Sequence, residues 1–185
     1  HAPLQGRTLA DSARDRETHW IDAAIDLILA ERQAIGTVYE AMSEDNLRLA
    51  MRQPWIKFVT DATALDPETA TSLAHPRGYG TYPRILGDYV RDAGVLTLED
   101  AVRKMTGAPA ARIGLRDRGL LRPGFFADIV IFDPNTVDDR ATFIRPHQLP
   151  EGIRHVLVNG TFVVRDGRHT GAKPGRFLRH EPPRL

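Results

Sequence analysis

The chain has 185 residues, 42% of them hydrophobic and 26% charged, an ordinary globular composition that excludes a disordered or collagen-like protein. Lys and Arg number 25 against 24 Asp and Glu, so there is no basic excess to neutralise phosphates, which argues against nucleic acid as a partner. With no cysteine there can be no disulfide, thiolate nucleophile or cysteine-held zinc, and no apolar run approaches the roughly 20 residues that span a bilayer. The expectation is a soluble chain in a cytoplasmic setting, with no membrane partner. It begins at His1 rather than Met, which suggests processing or a piece of a longer protein.

Between residues 15 and 32, Trp20, Ile21, Ala24, Ile25, Leu27 and Ile28 recur at spacings of three and four, predicting an amphipathic helix with Thr18 as its N-cap. Residues 35–42, with Ile35, Thr37, Val38 and Tyr39, read as a strand. Ser43 followed by Glu44 and Asp45 opens a second helix that runs through Met51 and is ended by Pro54. The almost wholly apolar run 55–60 reads as a strand covered on both faces, as in a parallel sheet wrapped by helices. Helix and strand thus alternate in a βαβ rhythm.

Residues 65–83 are punctuated by Asp66-Pro67, His75-Pro76 and Gly78-Tyr79-Gly80 and read as a long loop, and a loop of that length in a compact domain is usually functional. Helices are predicted over 82–92 and 97–106, the latter capped by Thr97, with a short third one over 109–113. Beyond Gly119 the pattern turns to β: a turn at Pro123-Gly124, a buried strand over 127–132, and two strands flanking Asn159-Gly160, a strong hairpin signal. A second turn falls at Asp166-Gly167, and 171–185, rich in Pro and Gly, reads as an extended tail.

Asp61 follows the predicted strand 55–60, at the carboxyl end where α/β barrels carry catalytic side chains, although an aspartate there can equally cap a turn or helix. The loop residues His75, Arg77 and Tyr79 are suited to bind an anionic or amide substrate, with an ordinary loop histidine as the alternative for His75. His19, His147, His155, His169 and His180 show no pair at metal-ligand spacing and read as structural or solvated.

The runs Pro109-Ala110-Ala111-Arg112-Ile113-Gly114-Leu115, Asp117 to Asp133 and Val156-Leu157-Val158-Asn159-Gly160 resemble the C-terminal closing segment of the amidohydrolase superfamily. Within it, Gly6-Arg7-Thr8-Leu9-Ala10, Met42-Ser43-Glu44-Asp45-Asn46, the run His75 to Arg84 and His169-Thr170-Gly171 resemble the N-acyl-D-amino-acid deacylases, or D-aminoacylases. The resemblance implies an α/β fold: the C-terminal part of a (β/α)8 metal-dependent hydrolase barrel over residues 1–115, then a small β-domain segment with an extended tail over 116–185. It implies zinc in the complete enzyme but no complete metal site in this chain, because the family's histidine and cysteine ligands lie upstream. Asp61 matches the aspartate that closes the last barrel strand and serves as general base, and the chain departs from the family's Ser-Asp-Gly there, reading Thr60-Asp61-Ala62. The implied reaction is cleavage of the amide of N-acyl-D-amino acids, with the missing N-terminal half or a second copy as partner. The rivals are a catalytically silent fragment that complements a partner chain, and a cyclic-amide hydrolase of hydantoinase or dihydroorotase type.

Overall fold

The computed structural model describes residues 4, 6–32, 35–63, 66–70 and 73–179. The N-terminal part is helical and the C-terminal part carries a small antiparallel sheet.

The helix predicted over 15–32 is α2 (Trp20–Glu31), and it is preceded by a helix the apolar spacing does not predict, α1 (Leu9–Asp15). Thr8 and Asp11 form a reciprocal capping box at the start of α1. Glu17, at φ 52°, breaks the path, and Thr18 donates its N–H back to Ala13 O at 3.1 Å. The N-cap of α2 is therefore His19, whose ring accepts from Ile21 N, and not Thr18. α3 (Glu44–Arg52) starts at Ser43 as the sequence predicts, with the Ser43 hydroxyl accepting from Asn46 N at 3.2 Å.

The two predicted strands, 35–42 and 55–60, form no ladder and are irregular. A parallel strand needs a neighbour along its edge and cover on both faces. Here Val38 and Tyr39 lie open to solvent, and residues 55–60 are tied to α5 by the backbone bond from Phe58 N to Lys104 O at 3.1 Å.

α4 (Arg77–Arg84) begins inside the stretch predicted as loop and runs into a π-helical stretch, Ile85–Asp92, so the helix expected over 82–92 starts earlier and widens. Leu65, Thr71 and Ser72 of that predicted loop lie outside the described residues. α5 (Leu98–Met105) is capped by Thr97 through Asp100 N at 3.2 Å, and α6 (Gly107–Arg112) replaces the short helix expected slightly later.

The main core joins α3, the π-helical stretch and α5: Met51, Ile85, Tyr89, Val95, Leu96 and Ala101 close around Phe58. Lys104 is fully buried beside it, donating from Nζ to Met51 O and pairing with Asp100 Oδ2 at 3.1 Å. One residue thus ties the C-terminal end of α3 and the segment before Asp61 to α5.

The sheet has four antiparallel strands in sequence order, β1 (Ile129–Phe132), β2 (Ile153–Val158), β3 (Thr161–Arg165) and β4 (Arg168–His169). Both predicted turns are present, with positive φ at Asn159 and Gly160 and again at Asp166 and Gly167. Arg118 locks the hairpin to the chain before β1: it pairs with Asp128, donates to Asn159 Oδ1 at 2.6 Å and lies over the Phe126 ring. The tail is irregular from 170 to 179, tied down where Asn159 Nδ2 donates to Pro174 O at 2.8 Å; His180, Pro182 and Pro183 lie outside the described residues. Among the described residues no helix is long and apolar enough to cross a membrane.

Candidate active site

Asp61 stands three residues beyond the pinned Phe58, exposed, with a left-handed backbone at φ 45°. Asp is one of the few side chains that tolerates this conformation. Ala62, which replaces the expected glycine, is not among the residues with positive φ, so its methyl imposes no backbone strain. That methyl lies 3.6 Å from where a side chain on Gly78 would begin, an ordinary packing distance.

The first turn of α4 carries Arg77 to Asp61, with Nη2 at 3.1 Å from Oδ2. His75 folds back on the same turn: its Nδ1 accepts from Arg77 N at 3.0 Å, which satisfies one of the donors that a helix start leaves unpaired. Partial desolvation first, and the Arg77 charge second, hold His75 below its ordinary imidazole value. The neutral ring suits this role, because only an unprotonated Nδ1 can accept.

Successive residues of an α-helix are turned by about 100°, so Arg77 and Gly78 can face Asp61 and Ala62 while Tyr79, two residues on from Arg77, is turned to the opposite side from it. Tyr79 Oη is 3.2 Å from His147 Nδ1, with the two rings edge to face at 5.7 Å. Gly80 sits against the Asp139 carboxylate, where a Cβ would overlap it. Asp139, nearly buried, accepts from Arg84 Nε at 3.2 Å and from Ala141 N at 2.8 Å. Phe143 meets the His75 ring edge-on at 5.1 Å. The structure therefore unites Asp61, His75 and Arg77 on one side of α4 and turns Tyr79 to the other.

Asp139, Phe143 and His147 do not stand out in the sequence. His147 reads there as a solvated histidine, and its only distinguishing feature, contact with a residue 68 positions away, exists only in the fold.

Among the described residues no group of three or more His, Cys, Asp or Glu side chains could hold a metal ion. Among the described histidines, beside His19, His75 and His147, His155 accepts from Asp166 N at 3.1 Å and His169 from Gly171 N at 3.2 Å. The described residues do not by themselves fit a metal centre. What the site offers is an exposed carboxylate beside a guanidinium and a neutral imidazole, a set able to move a proton and to bind an anion.

Residues 40–164 match the amidohydrolase family. The chain is 41% identical over 175 residues to a D-aminoacylase of Alcaligenes xylosoxydans xylosoxydans, covering 95% of this chain and 34% of that protein. An N-acyl-D-glutamate deacylase of the same organism is 39% identical over 183 residues, covering 98% and 35%. Among solved structures, a D-aminoacylase described with a binuclear metal center superposes with a TM-score of 0.79 at 39% identity, over 93% of this chain and 34% of that one. The N-acyl-D-glutamate deacylase of Bordetella bronchiseptica, complexed with zinc and a phosphonate inhibitor, gives 0.73 at 40% identity, over 89% and 33%. The chain spans about a third of the length of the curated relatives it matches.

Proposed function

The chain belongs to the amidohydrolase family, and we propose that it is the C-terminal portion of a metal-dependent enzyme that hydrolyses the amide of N-acyl-D-amino acids. The observation that carries this reading is the meeting of Asp61 and Arg77 at the start of α4. Relatives that act on such substrates match almost the whole chain, which supports it.

In this reading Arg77 binds the substrate carboxylate, for which a planar guanidinium offers two parallel donors, and His75 adds to the binding edge, while Tyr79, also expected there, is turned to the other side of α4. Asp61 and the substrate carboxylate then compete for one cation. Substrate binding draws Arg77 away and leaves Asp61 free to accept the proton of the attacking water and return it to the leaving amine. Since the described residues do not fit a metal centre, the zinc that such an enzyme uses is assigned to the rest of the protein, and no step here runs through it.

The architecture follows the same reading. Residues 1–115 contribute the last units of a (β/α)8 barrel, and 116–185 a small β domain. Segments 35–42 and 55–60 become its parallel strands when neighbours cover them.

The test is an assay of the full-length protein that contains this segment, with N-acetyl-D-amino acids and their L-enantiomers. Release of the free D-amino acid, with little from the L series, is expected. An enzyme that opens hydantoin or dihydroorotate rings but leaves N-acyl-D-amino acids intact would refute the proposal.

A further inference from the structure

The loop 139–148 packs on α4 at Tyr79 and Gly80, and its Phe143 meets the His75 ring. It is internally braced: Thr142 N donates to Arg145 O at 3.1 Å, Arg145 N to Thr142 Oγ1 at 2.9 Å and Gln148 Nε2 to Arg145 O at 2.8 Å, while Pro146 is fully buried. Its start is fixed by Asp139, which accepts from Arg84 of α4. A loop held in this way presents His147 from a fixed position at little entropic cost.

We infer that His147 is a positioning residue for substrate binding: by holding Tyr79 it sets the rotation of α4 that aims Arg77 at the Asp61 site. The helix geometry supplies the link. Tyr79 is two residues from Arg77 and points to the opposite side, so a contact that fixes Tyr79 fixes the direction of Arg77 without touching it. Gly80 against Asp139 lets the helix approach this loop closely, and on its other side Gly78 packs toward the Ala62 methyl at ordinary contact distance. α4 thus lies between the two, and the Tyr79–His147 pair is, beside Arg84–Asp139, a polar contact of the outer jaw.

The inference rests on the reading of Arg77 as the carboxylate-binding residue, and the experiment separates the two. In the full-length enzyme, His147→Phe is expected to raise KM for an N-acetyl-D-amino acid about 3- to 10-fold, the scale of one lost hydrogen bond, with kcat within about twofold. His147→Gln, which restores a polar partner, should recover most of the loss. In an Arg77→Met background, where KM is already raised, His147→Phe should add nothing, because it acts through Arg77. Tyr79→Phe, which deletes one oxygen and keeps the ring, should reproduce the effect even if His147→Phe fails to fold. An unchanged KM in Tyr79→Phe, or an equal further loss from His147→Phe in the Arg77→Met background, overturns the inference alone. An Arg77→Met enzyme with unchanged KM overturns the substrate-binding reading and this inference with it.

Discussion

Arg77 Nη2 approaches Asp61 Oδ2 to 3.1 Å in a pair whose two side chains are both open to solvent. Exposed ion pairs are worth about 0–1 kcal/mol, so this one stabilises the fold little and can be exchanged readily for a substrate carboxylate. Asp61→Asn is the informative change, because Asn also tolerates the left-handed backbone that Asp61 adopts. It should alter the denaturation free energy by less than about 1 kcal/mol and lower kcat of the full-length enzyme on the order of 10²- to 10⁴-fold. A large stability loss would make Asp61 a structural cap, and an unchanged kcat would remove it from the chemistry.

Gly80 gives a prediction of the opposite kind, about fold and not about chemistry. A Cβ there would overlap the Asp139 carboxylate, which cannot swing aside without breaking its bonds to Arg84 and Ala141. Gly80→Ala should therefore destabilise by about 1–3 kcal/mol, as overpacking does. Gly36, with nothing within 4 Å of its would-be Cβ, is the control. Gly36→Ala should be neutral or slightly stabilising, by up to about 1 kcal/mol. Equal urea midpoints for the two variants would contradict the packing of α4 on the loop.

A third prediction concerns pH. His75 is held below its ordinary value by desolvation and then by Arg77, so the folded state binds its proton less readily than the unfolded state does. Stability from this group is therefore present above the unfolded value of about 6.5 and is lost as pH falls through the lower folded value. Protonation also removes the Nδ1 lone pair that accepts from Arg77 N. An NMR titration should place the His75 midpoint below 6.5, and Arg77→Gln should move it upward. A midpoint at or above the ordinary value would show that neither desolvation nor Arg77 governs the ring.

How much of this was legible in the sequence depended on whether the signal was local. Ser43, Thr97, Asn159-Gly160 and Asp166-Gly167 specify caps and turns through their own backbone, and each appears where expected. α1 gives no periodic signal, because the apolar spacing begins only at Trp20, and a single left-handed residue, Glu17, decides the path between the two helices. The strands 35–42 and 55–60 were read from composition, which records what a segment would bury and not whether a neighbour is there to cover it. Asp61, His75, Arg77 and Tyr79 could be named from their loop setting and the family resemblance. Their division between two sides of α4 requires the helix, which starts at Arg77 within the stretch that reads as loop.

The exposed apolar surface leads to the last prediction. On α2, Trp20, Ile21, Ile25, Ile28 and Leu29 are all exposed, and they recur at helical spacing along one side. Val38, Tyr39, Met42, Trp55 and Val59, in the two segments expected to be barrel strands, are exposed as well. Monomeric proteins rarely leave contiguous apolar surface of this extent in water, and unpaired extended segments readily accept a partner strand. The isolated 185-residue chain should therefore self-associate in light scattering and bind a hydrophobic dye. It should not hydrolyse N-acetyl-D-methionine, since the described residues provide no metal cluster to assist Asp61. Adding the complementary N-terminal portion of the enzyme with zinc should suppress both the association and the dye binding, and restore turnover that depends on Asp61. A monodisperse, dye-silent monomer would show that these faces need no cover, and turnover by that monomer would place the whole catalytic apparatus within this chain.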